Sequence, residues 1–324
     1  MSKLNRLQSI VIKTTIVLCV LFAPYFFSRL MSPTRLVQQK ELYHISEYDL
    51  GQKNLTVAAY NIAHGRGTAA SDSEGGNKEE REKRLEDIAE LLKETDADVL
   101  ILNEVDFDSS WSYGVNQAEY LALEAGYPYW VEQRNLDFRF LWMTWRFGNA
   151  ILSKYPLTDV QLVKLPAHST WELILAGKKQ AVSSVINFDG QRVRIISAHL
   201  SHRSSTLRIQ SAKDILEHMQ EKPLPTILAG DMNSMPIQLV QPEVKSVQQT
   251  AIKVFKDSGQ FTFPPIKVPL TKPEMTFHSE DPKLMIDWIF IPKNWTFDSF
   301  EVEASTLSDH RLIKANLGLS PVEP

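Results

Sequence analysis

Along this chain, short apolar runs repeatedly end in a polar side chain. Leu55 to Asn61 is such a run, closed by an amide, and it predicts a buried strand. Asp98 to Leu102 predicts a second, closed by Asn103 and Glu104. Gly148 to Ser153, Val160 to Leu165, Ala181 to Phe188 and Val193 to His199 predict four more. Ile227 to Ala229 reads as a buried strand that turns at Gly230 and presents Asp231 and Asn233 two residues apart. Leu284 to Pro292 is a strand with one carboxylate, Asp287, inside an apolar run, and Leu312 to Leu317 predicts the last strand. A carboxylate buried in that way is costly unless it is paired.

Between these runs the period changes. Residues 78–94 place Leu85, Ile88, Ala89, Leu91 and Leu92 on one helical face, and 116–125 and 204–220 predict two further helices. Tyr127 to Glu132 reads as a strand. The segment 138–147 carries Phe138, Phe140, Trp142, Trp145 and Phe147, either as core or as an aromatic wall beside a ligand or lipid surface. Residues 62–77 form a Gly-, Ser- and acid-rich loop directly after Asn61, and long loops inside compact domains commonly carry function. Residues 235–282 are Pro-rich and read mostly as connection.

The N-terminus differs from the rest. Thr14 to Phe27 is uncharged and largely apolar, between Lys13 and Arg29. A bilayer needs about 20 such residues, so the run is near the short limit. No small-x-small cleavage site follows it, which favours an uncleaved single-pass signal anchor with an extracytoplasmic catalytic domain over a secreted, cleaved form. The organisation read from the sequence is thus an anchor over 1–30, a polar linker over 31–53, one domain over 54–318 and a tail over 319–324.

Charge sharpens this division. Six of the 35 basic residues and none of the 39 acidic ones lie within residues 1–40, so the remainder is strongly acidic. An acidic domain gains little from the counterion release that drives non-specific nucleic-acid binding. The single cysteine, Cys19, lies in the apolar segment, which excludes an intrachain disulfide framework and a cysteine metal site.

The polar groups in or beside the strands are Asn61, Glu104, His199, Asp231, Asn233, Asp287, Asp309 and His310. Scattered decoration would not favour strand ends, so convergence on one site is expected. Oxygen donors without cysteine suit a hard cation such as Mg²⁺ or Mn²⁺.

The strings Tyr-Asn61-Ile, Leu-Asn-Glu104-Val-Asp, Gly148-Asn-Ala-Ile-Leu-Ser, Ala-His199-Leu, Gly-Asp231-Met-Asn233-Ser, Ile-Asp287-Trp-Ile-Phe and Ser-Asp309-His310 occur in order over about residues 54–318. In this they resemble the endonuclease/exonuclease/phosphatase superfamily. The resemblance implies a four-layer α/β sandwich, two packed mixed β-sheets flanked by helices, here with an N-terminal apolar anchor helix. It also implies a divalent-metal-dependent hydrolase of phosphoric esters. By that resemblance Glu104 is the main metal carboxylate, with Asn61 beside it and Asp309 near it. Asp231 orients or deprotonates the attacking water, and Asn233 supports it. His310, paired with Asp287, and His199 face the phosphoryl group. His64, Arg66, Arg146 and His202 are candidate substrate contacts.

Membership of that family fixes reaction class better than substrate. The acidic domain, the apolar anchor and the aromatic segment favour a lipid headgroup or other small phosphoester. An extracytoplasmic DNA or RNA endonuclease is the alternative, and a catalytically inactive binding module is a remote one, since Glu104, Asp231 and His310 are all present. The expected partners are the phosphoester and, through the N-terminal segment, a membrane. Nucleic acid is not favoured, and no protein partner is predicted.

Overall fold

The computed structural model describes residues 3–31, 36–42, 54–167, 177–239 and 250–319. A seven-stranded sheet has the order β1-β4-β5-β3-β2-β13-β12, and a six-stranded sheet the order β10-β11-β9-β8-β7-β6. In the first sheet the strands are β1 (Val37–Glu41), β2 (Asn54–Asn61), β3 (Val99–Asp106), β4 (Tyr129–Phe140), β5 (Met143–Ser153), β12 (Thr296–Val302) and β13 (Ile313–Gly318). In the second they are β6 (Thr158–Lys164), β7 (Gln180–Phe188), β8 (Gln191–Ser197), β9 (Thr226–Asp231), β10 (Phe261–Thr262) and β11 (Asp287–Pro292). Two pairs, β2 with β3 and β8 with β9, are parallel, so both sheets are mixed.

The continuous apolar runs are explained by burial on both faces. Leu55, Val57 and Ala59 of β2 meet Ile227 and Ala229 of β9 in the core between the sheets. Ala58 and Tyr60 point the other way, onto α2 (Lys78–Thr95) and α3 (Gln117–Ala125). Leu228 faces α4 (Ser205–Glu221) and α5 (Ala251–Asp257) across the opposite surface. The four layers are therefore helices, sheet, sheet, helices, as expected from the sequence. Each parallel pair is joined by a helix that covers its own sheet: α2 between β2 and β3, α4 between β8 and β9. Local chemistry fixes the helix starts. Asn77 and Glu80 form a reciprocal capping box at α2, and Ser204 caps α4.

Several elements depart from the sequence reading. Val37–Glu41, inside the stretch read as linker, pairs antiparallel with β4 as an edge strand. The rest of that stretch lies largely outside the described residues, as does the tail after residue 319. The strand expected to end at Glu132 continues to Phe140, because its polar residues are buried and hydrogen-bonded. A bulge between Arg134 and Leu136 then shifts its alternation. β12 carries no clear strand pattern in the sequence, since a bulge between Phe297 and Ser299 breaks its period of two. The presumed connection 235–282 holds α5 and β10.

The N-terminal helix α1 (Lys3–Met31) is long and apolar enough to cross a membrane over Asn5–Met31.

Candidate active site

Strand ends from both sheets meet at one end of the sandwich. Asn61 ends β2, and Asp231 ends β9 directly opposite Asp287, the first residue of β11. Glu104 owes its direction to a bulge between Asn103 and Val105, where it adopts a φ of 51°. Ahead of Asp231, Gly230 has a φ of +128°, and a Cβ there would lie 2.2 Å from the carbonyl oxygen of Ala198 and 2.6 Å from Asn103 Oδ1. No side chain fits, so glycine is what lets the β9 strand close against Asn103.

Asp231 is the hub. Its Oδ2 accepts from Asn233 Nδ2 at 2.9 Å and from Asn61 Nδ2 at 3.3 Å. It also lies 3.3 Å from His199 Nε2 and 3.8 Å from His310 Nε2. Its Oδ1 accepts the backbone N–H of Asn233 at 2.8 Å. Burial alone would raise this carboxyl, but His310, His199 and Lys179 outweigh burial and hold it low, at about 2. Asp231 is thus a fully buried anion in a shell of donors and imidazoles.

His310 Nδ1 is 2.9 Å from Asp287 Oδ2, and the ring packs against Phe277 with centroids 4.8 Å apart. Burial would lower its imidazole, but Asp287 and Asp231 push it up to about 10. Burial in turn raises Asp287, and the imidazolium opposes that rise. At neutral pH His310 is an imidazolium, bonded through Nδ1 to Asp287, with its Nε2 facing Asp231.

Glu104 anchors the other half. Its Oε2 accepts from Arg66 Nη1 at 3.1 Å, and Arg66 Nη2 donates to Asp309 Oδ2 at 2.8 Å. Two carboxylates from distant parts of the chain therefore converge on a single guanidinium. His64 Nε2 lies 3.6 Å from Glu104 Oε2, and His64 Nδ1 lies 2.8 Å from Asp106 Oδ1. Burial opposes the charge on His64, but Asp106 and Glu104 push the imidazole up to about 9. Burial also opposes the charge on Glu104, yet His64, His199, Lys179 and Arg66 hold it far below the usual carboxylate range.

The donor set at this end of the sandwich suits a divalent cation. Glu104 and Asp309 already share one cation, the Arg66 guanidinium, and both are oxygen donors suited to a hard ion. Asn61 Oδ1 accepts from the Ala63 N–H at 3.0 Å and keeps a second lone pair. These three residues fit such an ion. Asp231, Asp287 and His310 also lie within 4.8 Å of one another. That trio contains a protonated imidazole with Nδ1 committed to Asp287, so it reads as an ion-pair chain and not as a ligand set.

Most residues expected from the sequence meet here: Asn61, His64, Arg66, Glu104, His199, Asp231, Asn233, Asp287, Asp309 and His310. His202 sits exposed at the edge and accepts from Arg203 Nε. Arg146 does not join them. Its Nε donates to Asp137 at 2.7 Å, so it is committed to a buried ion pair within β4 and β5. Two contributors escaped the sequence reading. Lys179 contacts His199 Nε2 and donates to the Leu200 carbonyl at 3.1 Å. Asn103, which closes its predicted strand beside Glu104, accepts the Asp231 N–H and donates to Asn149 Oδ1, both at 2.8 Å. A lysine just before a strand carries no distinctive signal, and an amide beside a stronger candidate is easily discounted.

The chain belongs to the Endonuclease/Exonuclease/phosphatase family, whose family model matches residues 58–310. Members of this family are hydrolases acting on phosphoesters. Among solved structures, the mannosyl-6-phosphatase of Bacteroides thetaiotaomicron VPI-5482 is 16% identical, with a TM-score of 0.60 over 82% of this chain and 100% of that one. A family protein from Bacteroides vulgatus is 18% identical, with a TM-score of 0.60 over 83% of this chain and 100% of that one. Humanized D. rerio TDP2 is 16% identical, with a TM-score of 0.54 over 83% and 100%. These likenesses concern the fold. Compared with curated protein sequences, the chain matches none.

Proposed function

We propose that this protein is a membrane-anchored, divalent-metal-dependent phosphoesterase acting on a lipid headgroup or another small phosphoester. The observation that carries the proposal is the setting of Asp231: one buried carboxylate oxygen within 3.3 Å of Asn61 Nδ2, Asn233 Nδ2 and His199 Nε2, and 3.8 Å from the His310 imidazolium.

Hydrolysis of a phosphoester needs a positioned water and stabilisation of charge on the phosphoryl and leaving oxygens. Asp231, anionic throughout the neutral range, accepts a hydrogen bond from that water and points it at phosphorus. A carboxylate held near 2 is a weak base, so its main contribution is orientation. Asn233 and Asn61 fix its rotamer. The His310 imidazolium donates to a phosphoryl oxygen, with Asp287 holding the ring and its charge. His199, with Lys179 against it, faces the same oxygens or the leaving group. Glu104 and Asp309, with Asn61, would hold Mg²⁺ or Mn²⁺, which supplies Lewis-acid stabilisation of the developing charge. With the ion on these carboxylates, Arg66 would be available to the substrate.

The acidic domain and the apolar α1 support a small or lipid-borne phosphoester over nucleic acid. One substrate panel tests this. The full chain in detergent, with Mg²⁺, is offered phosphatidylinositol phosphates, sphingomyelin, aryl phosphodiesters, sugar phosphates, DNA and RNA, with Asp231→Ala as control. Turnover of a lipid or small ester that vanishes in the folded variant is expected. Cleavage restricted to DNA or RNA overturns the substrate class, and undiminished turnover by Asp231→Ala overturns the role of that residue.

A further inference from the structure

The hairpin formed by β4 and β5 is apolar on one face. Its alternation puts Leu136, Phe138 and Phe140 beside Phe147, Trp145 and Met143, their cross-strand partners in register. Apart from Leu136, these side chains are only partly buried and stand outside the cores of the domain. They are a wall and not core. At the tip, Leu141 is 54% exposed and Trp142 is 82% exposed, the most exposed large apolar side chain among the described residues.

This tip abuts the end of α1. Ser28, the one buried residue of that helix among those whose side chains are described, accepts the Arg139 N–H at 3.2 Å, and Phe27 packs on Phe140 with centroids 6.2 Å apart. The remainder of α1 exposes Leu7, Ile10, Val11, Ile12, Ile16, Val17 and the apolar residues after them. Its uncharged run, residues 14–28, spans about 22 Å at the helical rise, short of the roughly 30 Å of a bilayer core. The hairpin supplies apolar surface at the level where the helix runs out, and tryptophan is the residue that favours the headgroup boundary. Arg29 and Arg139, both exposed, lie at the same level, where phosphate headgroups are found.

The wall runs on from the tip to the catalytic cluster. Phe138 stacks on Trp145 at 5.2 Å, Trp145 lies 6.1 Å from Trp111, and Trp111 and Phe147 flank the His64 ring at 6.3 and 5.4 Å. His64 Nε2 is 3.6 Å from Glu104. The same hairpin thus carries aromatic side chains from the end of the apolar helix, at Phe140, to the surroundings of the proposed metal carboxylate, at Phe147.

We propose that the tip of the β4–β5 hairpin, with the last turns of α1, docks into the surface of a lipid bilayer, so that the aromatic wall leads from the acyl boundary to the catalytic cluster. The docking surface rests on α1 being a membrane anchor, and its consequence for substrate rests on the phosphoesterase reading above. The occupant is lipid because the patch continues the apolar surface of α1 at the level where a surrounding bilayer must end.

The test uses the full chain with Cys19→Ser and either Leu141→Cys or Lys256→Cys, each carrying an environment-sensitive fluorophore. Each is reconstituted into phosphatidylcholine vesicles with plain or brominated acyl chains and washed with alkaline carbonate. The chain is expected to stay with the vesicles. The label at 141 should shift to the blue and lose about half its intensity or more to brominated lipid, as a probe at the acyl boundary does, while the label at 256 does neither. A chain that stays in the vesicles while both labels are equally open to aqueous iodide overturns hairpin docking and leaves the anchor standing. A chain washed off by carbonate overturns the anchor and the docking together. A blue shift that grows with protein-to-lipid ratio and ignores bromine assigns the patch to a second copy of the chain and overturns the lipid assignment. No readout depends on turnover, so the phosphoesterase reading is judged separately.

Discussion

Across the gap between the two sheets, the backbone N–H of Asp231 donates to Oδ1 of Asn103 at 2.8 Å. Asn103 in turn donates to Asn149, whose own amide donates to Gln133 Oε1 and to the Gln180 carbonyl. This chain of buried amides pins the end of β9 to β3, β5, β4 and β7, and it sets where the Asp231 carboxylate stands. Asn103→Ala should therefore do two things. Leaving buried partners unsatisfied lowers stability by about 1–3 kcal/mol. Loosening the catalytic carboxylate lowers kcat by about 10–100-fold with a smaller change in KM, since displacement of about 1 Å is costly to chemistry. Urea unfolding and steady-state kinetics on a soluble aryl phosphodiester read these separately. Unchanged kcat in a destabilised variant would confine Asn103 to packing.

The Asp287–His310 pair makes a prediction about pH. His310 is pushed up to about 10 by Asp287 and Asp231 against the opposing effect of burial, with Asp309 adding to the rise. A folded-state value above the ordinary 6.5 means that the stability it lends is complete below about 6.5 and is lost as pH rises through about 10. His64, held at about 9 by Asp106 and Glu104, behaves in the same sense. Asp287→Asn removes the main carboxylate facing His310, so its titration should move to lower pH, and the alkaline loss of stability should move with it. Ring-resonance NMR titration of His310 checks this. An unshifted midpoint in the variant would show that Asp287 does not control the imidazole.

Much of this arrangement is visible in the sequence because the core strands are apolar on both faces. A polar residue that ends such a run, such as Asn61 or Asp231, stands out against it. The same logic fails where polar residues are themselves buried. Glu132, Gln133, Arg134 and Asn135 obscure the continuation of β4, although in the fold they are paired with one another, with Asn116 and with Asn149. Arg146 shows the limit for site residues. A lone arginine near an aromatic run suits substrate binding or a buried ion pair equally, and only the position of Asp137 decides between them. Lys179 is hidden for the same reason in reverse, since its partner His199 is twenty residues away in the chain.

Arg66 yields a further prediction. Its guanidinium compensates both Glu104 and Asp309. Arg66→Gln leaves two partly buried carboxylates facing each other without that cation, and stability should fall by about 1–3 kcal/mol in the presence of a chelator. Mg²⁺ should then raise the melting temperature of the variant by more than it raises that of the natural chain, because the ion relieves a repulsion that Arg66 otherwise relieves. Thermal melts with EDTA and with Mg²⁺ give the comparison. An equal Mg²⁺ shift in both chains would place the ion away from Glu104 and Asp309.

Metal removal gives the last prediction. The Glu104, Asp309 and Asn61 donors are oxygens, which favour a hard cation of modest affinity over a tightly held thiolate-type ion. Exhaustive chelation should therefore stop turnover reversibly, and Mg²⁺ or Mn²⁺ should restore it. Glu104→Gln should keep the fold, lose most of the turnover at ordinary Mg²⁺, and regain part of it only at much higher Mg²⁺, because one charge of the donor set is gone while Asp309 remains. Titrating activity against free Mg²⁺ for both chains separates this from a structural role. Full activity after chelation would remove the cation from the mechanism and leave the charge on the phosphoryl oxygens to His310, His199, Lys179 and Arg66 alone.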